Sequence, residues 1–214
     1  MQKISLIIFD FDGTLLDSQQ DIVNGVNFAL KSFGRPSQKA SEILPFIGWG
    51  MEYLIVKSFG GGEEETLEKA CVVFKDYFRE HSLDNSVLYP GVKEILKHFE
   101  DKIKAIVTNR AYEFVLSALK AFNAGSYFKD IMSSDDKDCM KPSACPINKI
   151  VSKYKIDKKE ALMVGDMEVD IQAGKEAGIL TCGVTYGIGE KKDLIKARPD
   201  FLIDDIVELK KLVK

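Results

Sequence analysis

The stretch KISLIIFDFDGT, residues 3–14, decides the fold. Residues 3–9 are apolar and β-branched almost throughout, without helical spacing, which predicts a strand covered on both faces in a parallel sheet. Two aspartates, Asp10 and Asp12, end this run, and in an extended segment residues two apart point to the same side. Gly13 then lets the backbone turn and approach a ligand closely. On this motif alone, a pair of turn or capping aspartates remains the alternative.

Later segments repeat this pattern of a short apolar run that ends in small or polar residues. They are residues 103–108, 161–164 and 180–185, with weaker candidates at 131–132 and 201–203. Helical patterns lie between them, for example over residues 113–122. The alternation predicts an α/β fold with a doubly wound, Rossmann-like parallel sheet. The ligand site of such a sheet lies at the carboxyl ends of its strands.

Between the first strand and the rest of the sheet, helical periods follow one another with no convincing strand. The predicted helices run from the candidate N-cap Ser18 to about Gly34, over 51–59 and over 63–79. We therefore place the sheet domain at residues 1–14 and 86–214, and an all-helical insertion at residues 15–85.

Composition and charge exclude several classes of protein. The 214 residues are 45% apolar and 29% charged, within the globular range. A net charge of -3 with interspersed signs offers no basic stripe, so nucleic acid is not an expected partner. The apolar run 4–9 is too short to span a bilayer and has no cleavage site of a signal peptide, so we expect no membrane association and a cytoplasmic location.

The four cysteines fall at scattered spacings, with only two histidines in the chain. They are Cys71, Cys139, Cys145 and Cys182. We interpret all four as reduced thiols, the alternative being that Cys139 and Cys145 form a pair or bind a metal.

A second pair of carboxylates, Asp166 and Asp170, follows the run 161–164. A helix that begins near Met167 would place Asp170 one turn inside, close to Asp166. Either pair alone could be helix N-terminal acids. Carboxylates about 4 Å apart repel by roughly 4 kcal/mol at an effective dielectric of 20. Four acids at neighbouring strand ends therefore predict a cation, and oxygen ligands with few histidines favour Mg²⁺ over zinc.

Polar residues also follow the run 103–108. Thr108 and Asn109 offer a hydroxyl, an amide and backbone N–H groups, all suited to phosphate, although such a pair after a strand is often only a turn. Lys141 could supply a fixed positive charge, with Lys137 as a competitor. Arg110 could meet a substrate carboxylate, but we favour an interpretation in which it faces solvent.

Taken together, these motifs resemble, in order and approximate spacing, the four motifs of the haloacid dehalogenase superfamily. They are residues 10–18, Thr108-Asn109, Lys141-Pro142 and the GDxxxD pattern at 165–170. The helical insertion is similar to the cap domain of the phosphoglycolate phosphatase-like branch. Gly48, Trp49 and Gly50 are similar to the substrate-side loop of that cap, but related enzymes often have a smaller polar residue in place of Trp49.

The resemblance implies roles for individual residues. Asp10 would attack phosphorus and form an aspartyl phosphate, and Asp12 would protonate the leaving oxygen and later activate water. Asp170 would position Lys141 or the metal shell. The residues implied to bind phosphate or substrate are Gly13, Thr14, Thr108, Asn109, Lys141, Gly48, Trp49 and Gly50. Those implied at Mg²⁺ are Asp10, Asp12 through its main-chain carbonyl, Asp166 and Asp170.

The activity implied is Mg²⁺-dependent hydrolysis of a small phosphate monoester, with phosphoglycolate as a candidate. The expected binding partner is thus a small phosphorylated metabolite. The protein is expected to be a monomer or a homodimer. Alternatives within the same superfamily are a phosphosugar mutase similar to β-phosphoglucomutase, a pyrophosphatase and a nucleotidase. A non-catalytic regulatory protein on the same scaffold is a further alternative. Asp12 argues against a dehalogenase, because the related dehalogenases lack this second acid.

Overall fold

The computed structural model describes all residues from Met1 to Lys214. The chain divides into two compact units. Unit 1 comprises Met1–Asp17 and Leu88–Lys214, and unit 2 comprises Ser18–Val87. No helix in either unit combines the length and the apolar character that crossing a membrane requires.

Unit 1 is built on a six-stranded sheet in which every neighbouring pair of strands is parallel. The strands of the protein are β1 Leu6–Phe9, β2 Leu16–Asp17, β3 Val87–Leu88, β4 Ile103–Val107, β5 Asp130–Met132, β6 Ala161–Gly165, β7 Leu180–Val184 and β8 Phe201–Ile203. The six-stranded sheet has the order β5-β4-β1-β6-β7-β8, while β2 and β3 form a separate two-stranded sheet. Because chain order reverses around β1, the predicted doubly wound α/β fold is confirmed.

The register aligns the carboxyl ends of the three central strands. Phe9 at the end of β1 pairs with Ile106 of β4 on one side and with Val164 of β6 on the other. All four residues of β1 are fully buried, as a central strand covered on both faces requires. Side chains that follow these three strands therefore meet at one edge of the sheet.

Ten α-helices complete the fold. Those of unit 2 are α1 Gln19–Ser32, α2 Ala40–Ile43, α3 Met51–Ser58 and α4 Glu64–His81; those of unit 1 are α5 Val92–His98, α6 Tyr112–Ala121, α7 Cys145–Tyr154, α8 Glu168–Ala177, α9 Lys191–Ala197 and α10 Leu209–Leu212. Apolar residues of α7 and α8 pack with β1, β4 and β6 in one buried cluster. A Cβ at Gly174 of α8 would lie 3.2 Å from the Met163 Cβ, so glycine permits this helix to lie close to the sheet.

Unit 2 is held together mainly by α1 against α4. Gly25 of α1 lies against Phe74 of α4, where an added Cβ would come within 2.8 Å of the ring. Asp21 is buried and accepts hydrogen bonds from the Ser86 hydroxyl at 2.6 Å and the Asn85 side-chain amide at 2.7 Å. These bonds tie α1 to the segment after α4. Ser18 precedes α1 as predicted, but its side chain makes no capping hydrogen bond.

Candidate active site

Three carboxylates converge at the carboxyl edge of the sheet in unit 1. Asp10 follows β1, Asp166 follows β6, and Asp170 lies in the first turn of α8. Each offers an oxygen within 4.8 Å of the other two, and none is more than 3% exposed. The backbone explains this convergence, because the Asp10 N–H donates to the Val164 carbonyl at 2.8 Å and continues the β1–β6 ladder by one residue.

Lys141 joins two of these acids. Its Nζ lies 2.6 Å from Asp10 Oδ1 and 2.6 Å from Asp170 Oδ1, and the whole residue is buried. The second oxygen of Asp170 accepts the Met167 N–H at 2.9 Å. The competing Lys137 is exposed, in a short 3₁₀ turn at Lys137–Cys139. Of the two lysines considered from the sequence, the structure brings Lys141 to the acids.

Burial and mutual repulsion raise the pKa values of these acids. Burial, with the nearby Asp170 charge, raises the pKa of Asp10 to about 7. Burial, with Asp10, raises the pKa of Asp166 to about 7, and burial also raises the pKa of Asp170. Burial by itself would lower the pKa of Lys141, but the Asp10 and Asp170 charges outweigh it, so that pKa is raised. Lys141 therefore stays charged at neutral pH.

The donor set fits a hard divalent cation. Three carboxylates and one ammonium leave a formal charge of -2 when all four groups are ionised, a charge that is costly in a buried position. Oxygen donors of this kind suit the metals that proteins bind through carboxylates. Asp10, Asp166 and Asp170 are thus the residues of unit 1 that could hold a metal ion.

Asp166 is fixed from two directions. Thr14 Oγ1 donates to its Oδ1 at 2.9 Å, while the N–H groups of Ile188 and Gly189 donate to its Oδ2 at 2.8 and 3.1 Å. Gly13 has a φ of +83°, and an added Cβ would overlap the Asp166 carboxylate. The backbone turn and the placement of the Asp166 carboxylate therefore depend on glycine at this position.

The loop after β7, residues 185–189, was not predicted as part of the site. Besides the two N–H donors, it contributes Tyr186, whose hydroxyl donates to the Thr14 carbonyl at 2.8 Å. Gly187 lies against the Gly13 carbonyl and the Asp166 side chain, so closely that a Cβ would overlap both. Two glycines after a strand end at the same edge of the sheet were the available signal.

Thr108 and Asn109 follow β4, as predicted, and both are buried. The Thr108 hydroxyl accepts the Arg110 N–H at 3.1 Å. The Asn109 side chain pairs with both backbone groups of Lys141, donating to its carbonyl at 2.9 Å and accepting its N–H at 3.0 Å. Direct binding of phosphate by Thr108 and Asn109 stays a prediction, but Asn109 visibly fixes the peptide that carries Lys141.

The expectation that Arg110 faces solvent is wrong. Its side chain is 5% exposed, and its Nη1 donates to Oδ1 of Asp12. Asp12 lies 98 residues before Arg110 in the chain, so the local sequence does not reveal this pairing. The side chain of Asp12 is thereby set apart from the cluster formed by Asp10, Asp166 and Asp170. A role for its main-chain carbonyl at the metal stays a prediction.

The expectation of four reduced thiols is also wrong for two of them. Cys139 and Cys145 form a disulfide, with their Cα atoms 5.1 Å apart, whereas Cys71 and Cys182 are free. A turn between the short 3₁₀ segment and α7 brings the two residues into the range that a disulfide spans. The closed ring contains Lys141.

Gly48, Trp49 and Gly50 lie in unit 2, in the turn that leads into α3. The two glycines have φ values of +90° and +95°, which favour glycine, and the ring centroid of Trp49 lies 5.6 Å from that of Tyr53. All three are half-buried. Their contact with substrate stays a prediction.

Comparison with known proteins gives consistent matches over nearly the whole chain. The model of the family described as haloacid dehalogenase-like hydrolase matches residues 7–184. The phosphoglycolate phosphatase of Vibrio parahaemolyticus is 33% identical, with 99% of this chain and 97% of the relative covered. That of Haemophilus influenzae is 31% identical, with 97% of each covered. A crystal structure of a predicted phosphoglycolate phosphatase from Haemophilus somnus superimposes with a TM-score of 0.94 at 29% identity, covering 99% of both chains.

Proposed function

The chain belongs to the haloacid dehalogenase-like hydrolases, and we propose that it is a Mg²⁺-dependent phosphatase that acts on a small phosphate monoester, phosphoglycolate being the first candidate. The observation that carries the proposal is the buried cluster of Asp10, Lys141, Asp170 and Asp166. The names of the full-length relatives support hydrolysis over the phosphosugar mutase alternative, and phosphoglycolate over the pyrophosphate or nucleotide substrates of the other two alternatives, a pyrophosphatase and a nucleotidase.

Asp10 is the proposed nucleophile. One of its oxygens forms a bond to phosphorus as the bond from phosphorus to the leaving oxygen breaks, which yields an aspartyl phosphate. Asp12 gives a proton to the leaving oxygen. In the second half, water attacks the phosphorus, Asp12 takes a proton from the water, and the bond to Asp10 breaks. Asp10 and Asp12 are then ready for another substrate.

Lys141 and Thr108 are the proposed ligands of the phosphoryl oxygens. A buried ammonium that already lies 2.6 Å from Asp10 is well placed to stabilise charge that develops on a phosphoryl group attached there. Gly13, Thr14 and Asn109 support this position, Thr14 by orienting Asp166 and Asn109 by fixing Lys141. A bound Mg²⁺, held by Asp10, Asp166 and Asp170, would neutralise charge on the transferring group.

The test is phosphate release with Mg²⁺ over a panel of phosphoglycolate, sugar phosphates, nucleotides and pyrophosphate. We expect wild-type protein to release phosphate, and Asp10→Asn to fold but lose this activity. Asp101→Asn, which neutralises an aspartate exposed elsewhere in unit 1, is the matched control. Turnover retained by Asp10→Asn would refute the assignment, and product analysis with sugar phosphates separates a mutase from a hydrolase.

A further inference from the structure

We propose that Arg110 is a positioning residue that holds the carboxylate of Asp12 where it can exchange a proton with the leaving group and with water. The inference rests on the proposed function, because it assigns Asp12 the acid and base roles. It goes beyond that function in naming the group on which the placement of Asp12 depends.

Arg110 and Asp12 form an ion pair that is largely shielded from water. Arg110 Nη1 donates to Oδ1 of Asp12, and the side chains are 5% and 14% exposed, respectively. A charge-assisted bond between two groups this shielded from water is stronger than one at the surface. The same shielding makes separation of the pair costly, since either charge would be left buried without its partner. The Asp12 side chain is thereby restrained.

The guanidinium is itself held in an apolar slot. Its central carbon lies 5.8 Å from the ring centroid of Phe11 and 5.9 Å from that of Phe114, and both rings are buried. The negative faces of aromatic rings attract a cation, so these contacts stabilise the guanidinium in this position. An anchor has to be more rigid than the group it positions, and these two rings supply that rigidity.

The main chain of Arg110 is fixed as well. Its N–H donates to the Thr108 hydroxyl at 3.1 Å, and its carbonyl accepts the Ser134 N–H at 3.2 Å. The three residues after β4 therefore have separate tasks. Thr108 is a proposed ligand of the phosphoryl group, Asn109 fixes Lys141, and Arg110 fixes Asp12.

This arrangement argues against the alternative role of receiving a substrate carboxylate. A guanidinium already paired with Asp12 in a buried slot would have to give up that partner in order to bind a substrate anion. A carboxylate receptor would affect KM for phosphoglycolate, whereas a residue that positions Asp12 affects kcat. The two roles therefore separate in steady-state kinetics.

The experiment compares Arg110→Ala, Arg110→Met and Arg110→Lys on phosphoglycolate and on p-nitrophenyl phosphate, with Mg²⁺ present. Met fills the slot between the two rings but cannot bind a carboxylate, and Lys restores the charge without the planar fork. Arg79→Ala, at an exposed arginine of α4, is the matched control. Melting temperatures show which variants fold.

We expect Arg110→Ala and Arg110→Met to lose kcat on phosphoglycolate by on the order of 100-fold with KM within a few-fold of wild type, and Arg110→Lys to recover part of the loss. Nitrophenolate leaves without needing a proton, so with p-nitrophenyl phosphate only hydrolysis of the aspartyl phosphate should slow. These two variants should then show a stoichiometric burst of nitrophenolate before slow turnover.

Different results would contradict the positioning role of Arg110 in different ways. Wild-type kcat in Arg110→Met would show that the residue only fills space, and a rise in KM at unchanged kcat would show that it binds substrate. Equal slowing of the burst and of later turnover would also overturn the inference. A wild-type protein without phosphatase activity would instead refute the proposed function itself, and the inference with it.

Discussion

The side-chain amide of Asn109 holds the peptide of Lys141 at both its N–H and its carbonyl, with hydrogen bonds of 3.0 and 2.9 Å. Both residues are buried, so water cannot readily replace these bonds. The position of the Lys141 ammonium between Asp10 and Asp170 therefore depends on a residue that follows another strand.

We accordingly expect Asn109→Ala to lower kcat by about 10- to 100-fold although Lys141 itself is unchanged. The reason is that a small displacement moves the Lys141 ammonium away from the phosphoryl group that it stabilises. The loss of two buried hydrogen bonds should also cost about 1–3 kcal/mol of unfolding free energy. Steady-state kinetics and urea denaturation measure both effects. Asn148→Ala, on α7, is the control, and an unchanged kcat in Asn109→Ala would show that the Lys141 loop is held by other contacts.

The loop glycine Gly187 provides a second test. An alanine Cβ there would overlap the Gly13 carbonyl and the Asp166 side chain, so the loop has to move and its N–H groups leave Asp166. We expect Gly187→Ala to weaken Mg²⁺ binding by about 10- to 100-fold, measured calorimetrically. Gly125→Ala is matched to it, because a Cβ at that position meets only ordinary contact at 3.9 Å. Equal Mg²⁺ affinity in the two variants would contradict this account.

The raised acid pKa values predict how metal binding depends on pH. Without a cation, burial is the main cause that raises the pKa values of Asp10 and Asp166 from 3.8 to about 7. Between these values the folded protein keeps protons that the unfolded chain has lost, so this contribution to stability is present at low pH and is lost as pH rises through about 7. A cation that binds the carboxylates must displace those protons.

Mg²⁺ binding should therefore release protons at about pH 6 and almost none at about pH 8. Bound Mg²⁺ should also raise the melting temperature more at the higher pH. Calorimetry in two buffers that differ in ionisation enthalpy measures the proton count. Proton release that does not vary with pH would be incompatible with these pKa values.

The cysteine pairing is tested by counting thiols. In protein purified without reductant and then denatured, two of the four cysteines should react with a thiol reagent, and all four after reduction. Cys139→Ser should expose three thiols without reduction, because it frees Cys145. Four reactive thiols in the unreduced wild type would mean that the pair is open in solution.

The strands were predictable where burial leaves a clear pattern. The apolar runs at 103–108, 161–164 and 180–185 correspond to β4, β6 and β7 within one residue at each end. The first strand is shorter than predicted, since β1 begins at Leu6, although Ser5 already donates its N–H to the Glu160 carbonyl and accepts the Ile103 N–H. Periodicity gives the presence of an element more securely than the place where its hydrogen bonding starts.

The site was predictable where it consists of side chains with distinctive chemistry. The structure brings together the acids and the lysine that the sequence singled out by their chemistry, Asp10, Asp166, Asp170 and Lys141. The 185–189 loop was missed because its contribution comes from backbone N–H groups, which every residue but proline carries. The prediction for Arg110 was wrong because most arginines are exposed to solvent, and only the folded chain brings this one to Asp12.

The central position of β1 has a consequence for biosynthesis. Leu6 leaves the ribosome well before its neighbours in the sheet, Ile103 and Ala161, which are translated later. The β1 segment must therefore wait for its partner strands, and such distant pairing slows folding. A polypeptide truncated before Asp166 lacks two of the three acids, so premature termination should yield inert fragments and no partly working enzyme.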